Sequence, residues 1–388
     1  MRNSAKPQID IVIRESKSSA SAGLLPSFSA LDKVCGEVSV SPPSPVFIRT
    51  LYVSLVGTVK TFVDRLSSAP HVSGSPDIKC TFLNIQRELL PDGCHLKPGQ
   101  SYRFPFSFVL PERLPKWFCD HSSEDAVYEA HMLLPPSIGD DSGSEEDFFY
   151  PSNVSISYAV FATAELEEPP TFLERSHAIC VRPTSLDHRS LHLPVNIKDY
   201  RLRDEATIRS FRSRKKGHLV IETHQPCLLH LPGPAFVAIN LQYKPGSEQC
   251  QPPRLKDVKT KLAGMTFYST NPQEAFPYKE DLHKDLSLAL YSKSIPLSPW
   301  ALSSGTWQKS FSPTGGCFYA MRLAVPITLP ENVPLVPTFH SCYVSRVYRL
   351  HISIAISATS ALTLKVPLQI STANAKPPTY SPSRQVAL

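Results

Sequence analysis

The stretch YRFPFSFVLPERLP, at residues 102–115, decides the fold, because residues 323–334 repeat its pattern as LAVPITLPENVP. Apolar side chains fall on alternate positions in both copies, as in a strand that buries one face. We predict that Phe106 and Val325 are core positions of these strands. Each copy ends in LPE with a further proline three residues later, where proline stops the ladder and turns the chain.

Both copies carry a proline at an outward-facing position, Pro105 in the first and Pro326 in the second. Proline has no N–H for a ladder hydrogen bond, so in sheets it is found on strands whose N–H side faces solvent. We therefore predict that both copies are edge strands.

The neighbourhood of each copy is repeated as well, which a chance pair of LPExxP strings does not explain. The repeated features are an opening strand at residues 9–13 and 219–222, a second apolar stretch at 34–40 and 236–243, and a later alternating strand led by Tyr158 or Tyr348. Their order is the same in both halves, and no short solenoid period is present. The sequence therefore predicts an internal duplication.

The composition of the 388 residues favours β-structure. Glycines number 15 and prolines 38, and the apolar segments are short, alternating and rich in β-branched and aromatic residues. Only residues 280–292, EDLHKDLSLALYS, fit a short amphipathic helix. Many short strands without intervening helices predict an all-β chain of two tandem immunoglobulin-like β-sandwich domains.

Breaks in the apolar pattern divide the chain. We predict an N-terminal sandwich at residues 9–182, an interdomain linker at 183–216, a C-terminal sandwich at 217–371 and a disordered tail at 372–388, which is polar and rich in proline. The acidic segment GDDSGSEED at 139–147 is interpreted as a solvated loop in preference to a kinase site.

The net charge of +6 is mild and the charges are interspersed, which argues against nucleic acid as a partner. One basic cluster lies just before the second predicted domain. Its members are Arg209, Arg212, Arg214, Lys215 and Lys216. We interpret this cluster as part of a solvated linker in preference to a patch that contacts acidic cargo tails or anionic membrane weakly.

No motif for catalysis is found, so we predict that the chain is not an enzyme and needs no cofactor. The nine cysteines are scattered without a CxxC pair, which predicts neither a zinc site nor a disulfide framework. His188 and His192 are four residues apart, but Pro194 disfavours a helical metal pair. The N-terminus has no apolar signal region, so a reducing compartment is expected.

The tail contains the motif that carries most functional information, Pro377-Pro378-Thr379-Tyr380. This is a PPxY sequence, in which two prolines preset polyproline II and the tyrosine fills a second pocket of an aromatic groove. Such grooves belong to WW domains. A chance occurrence in a proline-rich chain is the alternative, but the position in a predicted flexible tail favours binding.

Together these features resemble the arrestin superfamily, in particular the fungal arrestin-like proteins, also called α-arrestins or arrestin-related trafficking adaptors. The phrases that carry the resemblance are LKPGQSYRFPFSFVLPERLP at 96–115, LPENVPLVPTF at 329–339, VYRLHISIAI at 347–356 and the PPxY tail. The resemblance covers nearly the whole chain. Family members often carry several PPxY motifs, whereas this chain has one, which limits avidity.

The resemblance implies an adaptor that recognises cytosolic parts of membrane transporters or receptors. Pro377, Pro378 and Tyr380 would then recruit a WW-domain HECT-class ubiquitin ligase, and the cargo would be ubiquitinated and internalised. Such a protein is expected in the cytoplasm, recruited peripherally to the plasma membrane or endosomes. The alternative is an arrestin-fold sorting or coat scaffold that recruits no ligase.

Overall fold

The computed structural model describes most of the chain between residues 7 and 372. The described residues are 7–14, 25–63, 77–121, 124–139, 148–167, 171–183, 199–209, 215–224, 229–231, 235–255, 257–298, 300–301, 306–312, 316–329, 335–357 and 360–372. We refer to residues 7–183 as the first half and to residues 199–372 as the second half.

Strands account for most of the regular structure in both halves. The first half contains β1 (Gln8–Ile13), β2 (Ser27–Phe28), β3 (Lys33–Ser41), β4 (Val46–Thr61), β5 (Ile78–Glu88), β6 (Cys94–Leu96), β7 (Tyr102–Val109), β8 (Val154–Leu166) and β9 (Thr171–Val181). The second half contains β10 (Arg203–Arg209), β11 (Lys215–Thr223), β12 (Leu229–Leu231), β13 (Ala235–Pro245), β14 (Asp257–Ser269), β15 (Leu288–Pro296), β16 (Trp300–Ala301), β17 (Gln308–Phe311), β18 (Cys317–Ile327), β19 (Phe339–His340), β20 (Val344–Ala355), β21 (Ala361–Leu368) and β22 (Ile370–Thr372).

Helical structure is scarce in the described residues. The α-helix α1 spans Asp125–His131, and two 3-10 helices span Lys116–Phe118 and Lys279–His283. None of the described helices is long and apolar enough to cross a membrane. The chain is therefore mostly β-sheet.

The two halves repeat one strand order. In the first half β1, β3 and β7 form one sheet, and β5, β4, β8 and β9 are neighbours in another. In the second half β11, β13 and β18 are neighbours in one sheet, and β15, β14, β20 and β21 follow one another in a second. Nearly all pairs are antiparallel, and no sheet of described strands closes into a barrel. This repeat agrees with the predicted internal duplication.

The two strands that contain the repeated sequence, β7 and β18, bury the side chains that the sequence predicts to lie in the core. Phe106 and Val325 are both buried, and burial alternates along β7 and along the C-terminal part of β18. Their prolines, Pro105 and Pro326, are exposed. Among described strands β7 pairs only with β3, and β18 pairs on its second side only through residues 317–320, so both prolines lie on an open edge.

Helical segments differ from the sequence-based expectation. Residues 280–292 do not form one amphipathic helix, because Lys279–His283 is a 3-10 helix and β15 begins at Leu288. Residues 288–296 form a strand because they pair with β14. The hydrogen bonds of this pairing stabilise a strand more than the short amphipathic pattern stabilises a helix. The helix α1 has no counterpart among the sequence predictions.

Part of the segment predicted as an interdomain linker is structured. Strand β10 lies inside residues 183–216 and pairs along its whole length with β11. The second half therefore begins before residue 217. Burial alternates along β10, but its first three residues are all polar, so the sequence pattern alone does not indicate a strand here.

The two halves share core residues. The ring of Phe149, from the first half, packs in the core of the second half. In return the core of the first half includes Tyr268, Phe339, Cys342 and Val344 of the second half. The two halves are therefore in direct contact through the apolar side chains of these residues.

Candidate metal centre

Four metal-binding side chains meet where the halves are in contact. They are Cys119, His121 and His131 of the first half and Cys342 of the second half. One ligand atom from each residue lies within 4.8 Å of the ligand atoms of all the others. We call this group the Cys/His cluster.

The connection between β7 and β8 supplies three of these residues. After β7 the chain forms a 3-10 helix at Lys116–Phe118, and Cys119 is the residue that ends this helix. The backbone N–H of Leu114 donates to the carbonyl of Met132 at 2.7 Å, which ties the start of the connection to the end of α1. This hydrogen bond brings the segment with Cys119 and His121 alongside His131.

His131 is placed by the amphipathic character of α1. The buried residues of this helix are Val127, Ala130 and His131, which share one face through their i, i+3, i+4 spacing. The imidazole of His131 therefore points inward with the apolar side chains. Its Nδ1 lies 3.6 Å from the Sγ of Cys119, and its buried Nε2 has no hydrogen-bond partner among the described residues.

His121 lies at the solvent side of the cluster. Its Nε2 is 3.7 Å from the Sγ of Cys119, and its Nδ1 is 3.8 Å from a carboxylate oxygen of Asp120. The side chain of His121 is 17% exposed, whereas Cys119, His131 and Cys342 are buried. The cluster is thus closed on the inside and reachable from one edge.

Cys342 lies in the turn between β19 and β20. The hydroxyl of Ser341 donates to the carbonyl of Val344 at 2.8 Å, and the N–H of Ser341 donates to the same oxygen at 2.9 Å. The N–H of Gln273 donates to the carbonyl of Cys342 at 2.8 Å. These bonds fix the backbone of the turn and hold the thiol of Cys342 against the first half.

Burial sets the protonation of the cluster. It lowers the pKa of His131 to about 4, with a further contribution from His121, so this imidazole is neutral at neutral pH and has a free lone pair. Burial, together with Cys119, raises the pKa of the Cys342 thiol. His340, one residue from the turn, has its pKa lowered to about 3, mainly by burial and also by His131.

The sequence-predicted site residues lie elsewhere. Pro377, Pro378 and Tyr380 are outside the described residues, as are His188, His192, Arg212 and Arg214. Arg209 ends β10 and pairs with Lys215 in β11, and both Arg209 and Lys216 are exposed. The described members of the basic cluster thus lie where the pairing of β10 with β11 ends, at Arg209 and Lys215. Its weak contact with acidic partners stays a prediction.

The Cys/His cluster was not found by spacing along the sequence. Cys342 is remote from the other three residues, and no CxxC pair exists. The one local signal is the C-x-H pair of Cys119 and His121, which alone is too common to indicate a site. The expectation of no zinc site rested on this local criterion, and only the contact of the two halves brings the four residues together.

A comparison with models of known protein families finds none that matches the chain, and a comparison with curated proteins finds no significant match.

Proposed function

We propose that this protein is a trafficking adaptor with two arrestin-type β-sandwich domains. These domains would recognise cytosolic parts of a membrane transporter or receptor. The PPxY segment would recruit a WW-domain HECT-class ubiquitin ligase, so that the cargo is ubiquitinated and taken up. The protein would act in the cytoplasm and be recruited to the plasma membrane or endosomes.

The observation that carries this proposal is the PPTY sequence at residues 377–380. The last described strand, β22, ends at Thr372, so the motif follows the second half by only a few residues. Two adjacent prolines in general favour polyproline II in an unbound peptide, which reduces the conformational entropy lost when a groove binds it. Tyr380 adds ring burial and a hydroxyl contact.

The repeated strand order supports the adaptor proposal at the level of the fold. Two halves that share core residues would form one scaffold that carries both a cargo surface and the PPxY segment. The resemblance of the strand phrases to arrestin-like proteins suggests what this scaffold does. A sorting scaffold without ligase recruitment remains the competing function, and the tail motif separates the two.

The test compares WW-domain binding of the peptide from residues 376–383 with binding of two variants. Tyr380→Ala removes the pocket-filling ring and should weaken binding by about 2 kcal/mol, roughly thirtyfold. Thr379→Ala changes the variable position of the motif and serves as the matched control, with little expected loss.

The same two substitutions are then made in the full chain, and ubiquitination of the protein and its cargo is measured in cells. We expect Tyr380→Ala to fold like the parent and to lose ligase association, while Thr379→Ala keeps it. Equal ligase binding and ubiquitination in the parent and Tyr380→Ala would contradict the proposal and favour the sorting scaffold.

A further inference from the structure

We propose that Cys119, His121, His131 and Cys342 bind one Zn²⁺ ion. The ion would fasten the connection between β7 and β8 in the first half to the turn between β19 and β20 in the second half. This inference rests on the geometry of the described residues and is independent of the adaptor function.

The distances in the cluster fit tetrahedral coordination. A Zn–S bond of about 2.3 Å and a Zn–N bond of about 2.0 Å, at the tetrahedral angle, place sulfur and nitrogen about 3.5 Å apart. The Sγ of Cys119 lies 3.7 Å from Nε2 of His121 and 3.6 Å from Nδ1 of His131. All four ligand atoms lie within 4.8 Å of one another, so the side chains would have to draw closer around the ion to complete the site.

The ligand set selects zinc over other common metals. Two thiolates and two imidazoles in a tetrahedral arrangement are typical of structural zinc sites, whereas Mg²⁺ and Ca²⁺ prefer oxygen ligands. Binding replaces the thiol protons of Cys119 and Cys342, so two thiolates neutralise the dication while both imidazoles stay neutral. The loaded site then has no net charge, which suits its burial.

The residues around the cluster provide outer support. The carboxylate of Asp120 lies 3.8 Å from Nδ1 of His121, the ring nitrogen that faces away from Cys119. If this distance shortened to hydrogen-bond length, the carboxylate would orient the histidine ligand and increase its basicity. On the other side the turn of Cys342 is held by Gln273 and by the Ser341–Val344 bonds.

The four ligands indicate a structural role. All four positions of the tetrahedron are taken by protein, and three of the residues are buried, so no open position is left for a substrate. The ion would cross-link segments far apart in the sequence, which restricts the unfolded chain more than a local link does. A disulfide between Cys119 and Cys342 is the competing link, but it leaves the convergence of two histidines unexplained.

The first experiment measures metal in the full chain, purified in reducing buffer without added metal, by inductively coupled plasma mass spectrometry. We expect about one zinc per chain. Cys119→Ser and Cys342→Ser should each lose most of this zinc. Cys180→Ser is the matched control, because Cys180 is a buried free cysteine of the first half outside the cluster, and it should keep the metal.

The second experiment does not depend on the folding of any variant. The parent chain is stripped with a chelator and titrated with Co²⁺, which should give the visible absorption of tetrahedral cobalt with thiolate charge transfer, saturating at one equivalent. Zn²⁺ should displace the cobalt and raise the melting temperature of the stripped protein. The Ser variants should show weaker thiolate bands than the parent and the Cys180→Ser control.

Several results would overturn the proposal. The proposal would be wrong if the purified parent protein contained no stoichiometric zinc and gave no tetrahedral cobalt spectrum. Equal zinc loss in Cys180→Ser and the cluster variants would place the metal elsewhere. A Cys119–Cys342 disulfide found by mass spectrometry in protein prepared under reducing conditions would assign the cluster to a covalent link.

Discussion

At the scale of single residues, two buried tyrosines make the same contact in the two halves. The hydroxyl of Tyr158 donates to the carbonyl of Pro135 at 2.6 Å, and the hydroxyl of Tyr348 donates to the carbonyl of Val336 at 2.6 Å. Each tyrosine lies in a strand that follows the LPExxP segment, and its hydroxyl binds the backbone between that segment and the strand. Burial raises the pKa of Tyr158 well above its usual value, so its hydroxyl remains a donor.

Tyr158→Phe removes the hydroxyl and leaves the buried carbonyl of Pro135 without this donor. We expect the free energy of unfolding to fall by about 1–3 kcal/mol. Chemical denaturation measures the change. Tyr102→Phe is the control, because the hydroxyl of Tyr102 bonds Gln100 and Lys97 at an exposed site. A similar loss of unfolding free energy in both variants would show that the buried hydrogen bond contributes no more to stability than the exposed one.

The protonation of His351 links stability to pH. Burial, together with the nearby charges of Arg349, Lys365, Lys279 and Lys261, lowers its pKa to about 4. The Nε2 of His351 accepts a hydrogen bond from Nε of Arg349 at 2.9 Å, which requires the neutral ring. Protonation would remove this acceptor and add a positive charge beside four cations.

The folded pKa of His351 lies below its unfolded value of about 6.5. Above that pH both states are neutral and the contribution to stability is complete. As pH falls from about 6.5 to about 4, the unfolded chain binds the proton and the folded chain does not, so stability decreases. We expect His351→Gln to lose less stability than the parent over this window, measured by urea midpoints. Parallel pH profiles would contradict this assignment.

At the scale of elements, β7 shows how alternation produces a strand with one buried face. Phe106 and Phe108 are buried on one side, while Val109 is 46% exposed on the other. Gly36 in β3 is the cross-strand partner of Phe106. A Cβ on Gly36 would lie 2.7 Å from the ring of Phe106, so the phenylalanine ring covers the space that glycine leaves.

Phe106→Ala should create a cavity in the first core, because the surrounding strands are fixed by their ladders and cannot close over it. We expect a loss of about 3–5 kcal/mol in unfolding free energy. Val109→Ala, on the exposed side of the same strand, should change it by less than about 1 kcal/mol. Thermal and urea denaturation measure both. A Phe106→Ala variant as stable as Val109→Ala would contradict the core position.

The elements that the sequence predicted are those with several alternating positions, such as β3, β4, β7, β13 and β20. The sequences of the other elements show too little alternating or helical pattern to predict them. The helix α1 has only seven residues, less than two full turns of pattern, and β10 is recognised by its pairing with β11. The Cys/His cluster needs the contact of two halves, which no local pattern contains.

At the scale of the whole molecule, the halves are joined by strands buried on both sides. The C-terminal part of β14 and the N-terminal part of β20 lose the alternation of burial. Leu262 and Tyr348 of these segments pack in the second core, whereas Tyr268 and Val344 pack on the first core. The hydroxyl of Thr61 donates to the carbonyl of Ser269 at 2.7 Å across the same contact.

In the opposite direction, the ring of Phe149 from the first half is surrounded by residues of the second half. It is fully buried and meets the ring of Tyr348 edge to face at 5.7 Å. The hydroxyl of Thr266 donates to the carbonyl of Phe149 at 2.6 Å. The ring lies against Gly264, where a Cβ would approach it to 2.3 Å. Phe149 thus occupies a socket shaped by the second half.

Phe149→Ala should empty this socket, so we expect it to lower the unfolding free energy by about 3–5 kcal/mol. Because each half contributes to the other's core, the parent should unfold in one transition, and the variant should let the halves separate into two. Far-ultraviolet circular dichroism and tryptophan fluorescence during urea unfolding distinguish these cases. Phe172→Ala, at a ring that is 66% exposed, is the control and should unfold like the parent. If Phe149→Ala kept both the stability and the single transition of the parent, the ring would not couple the halves, and their association would depend on the remaining contacts.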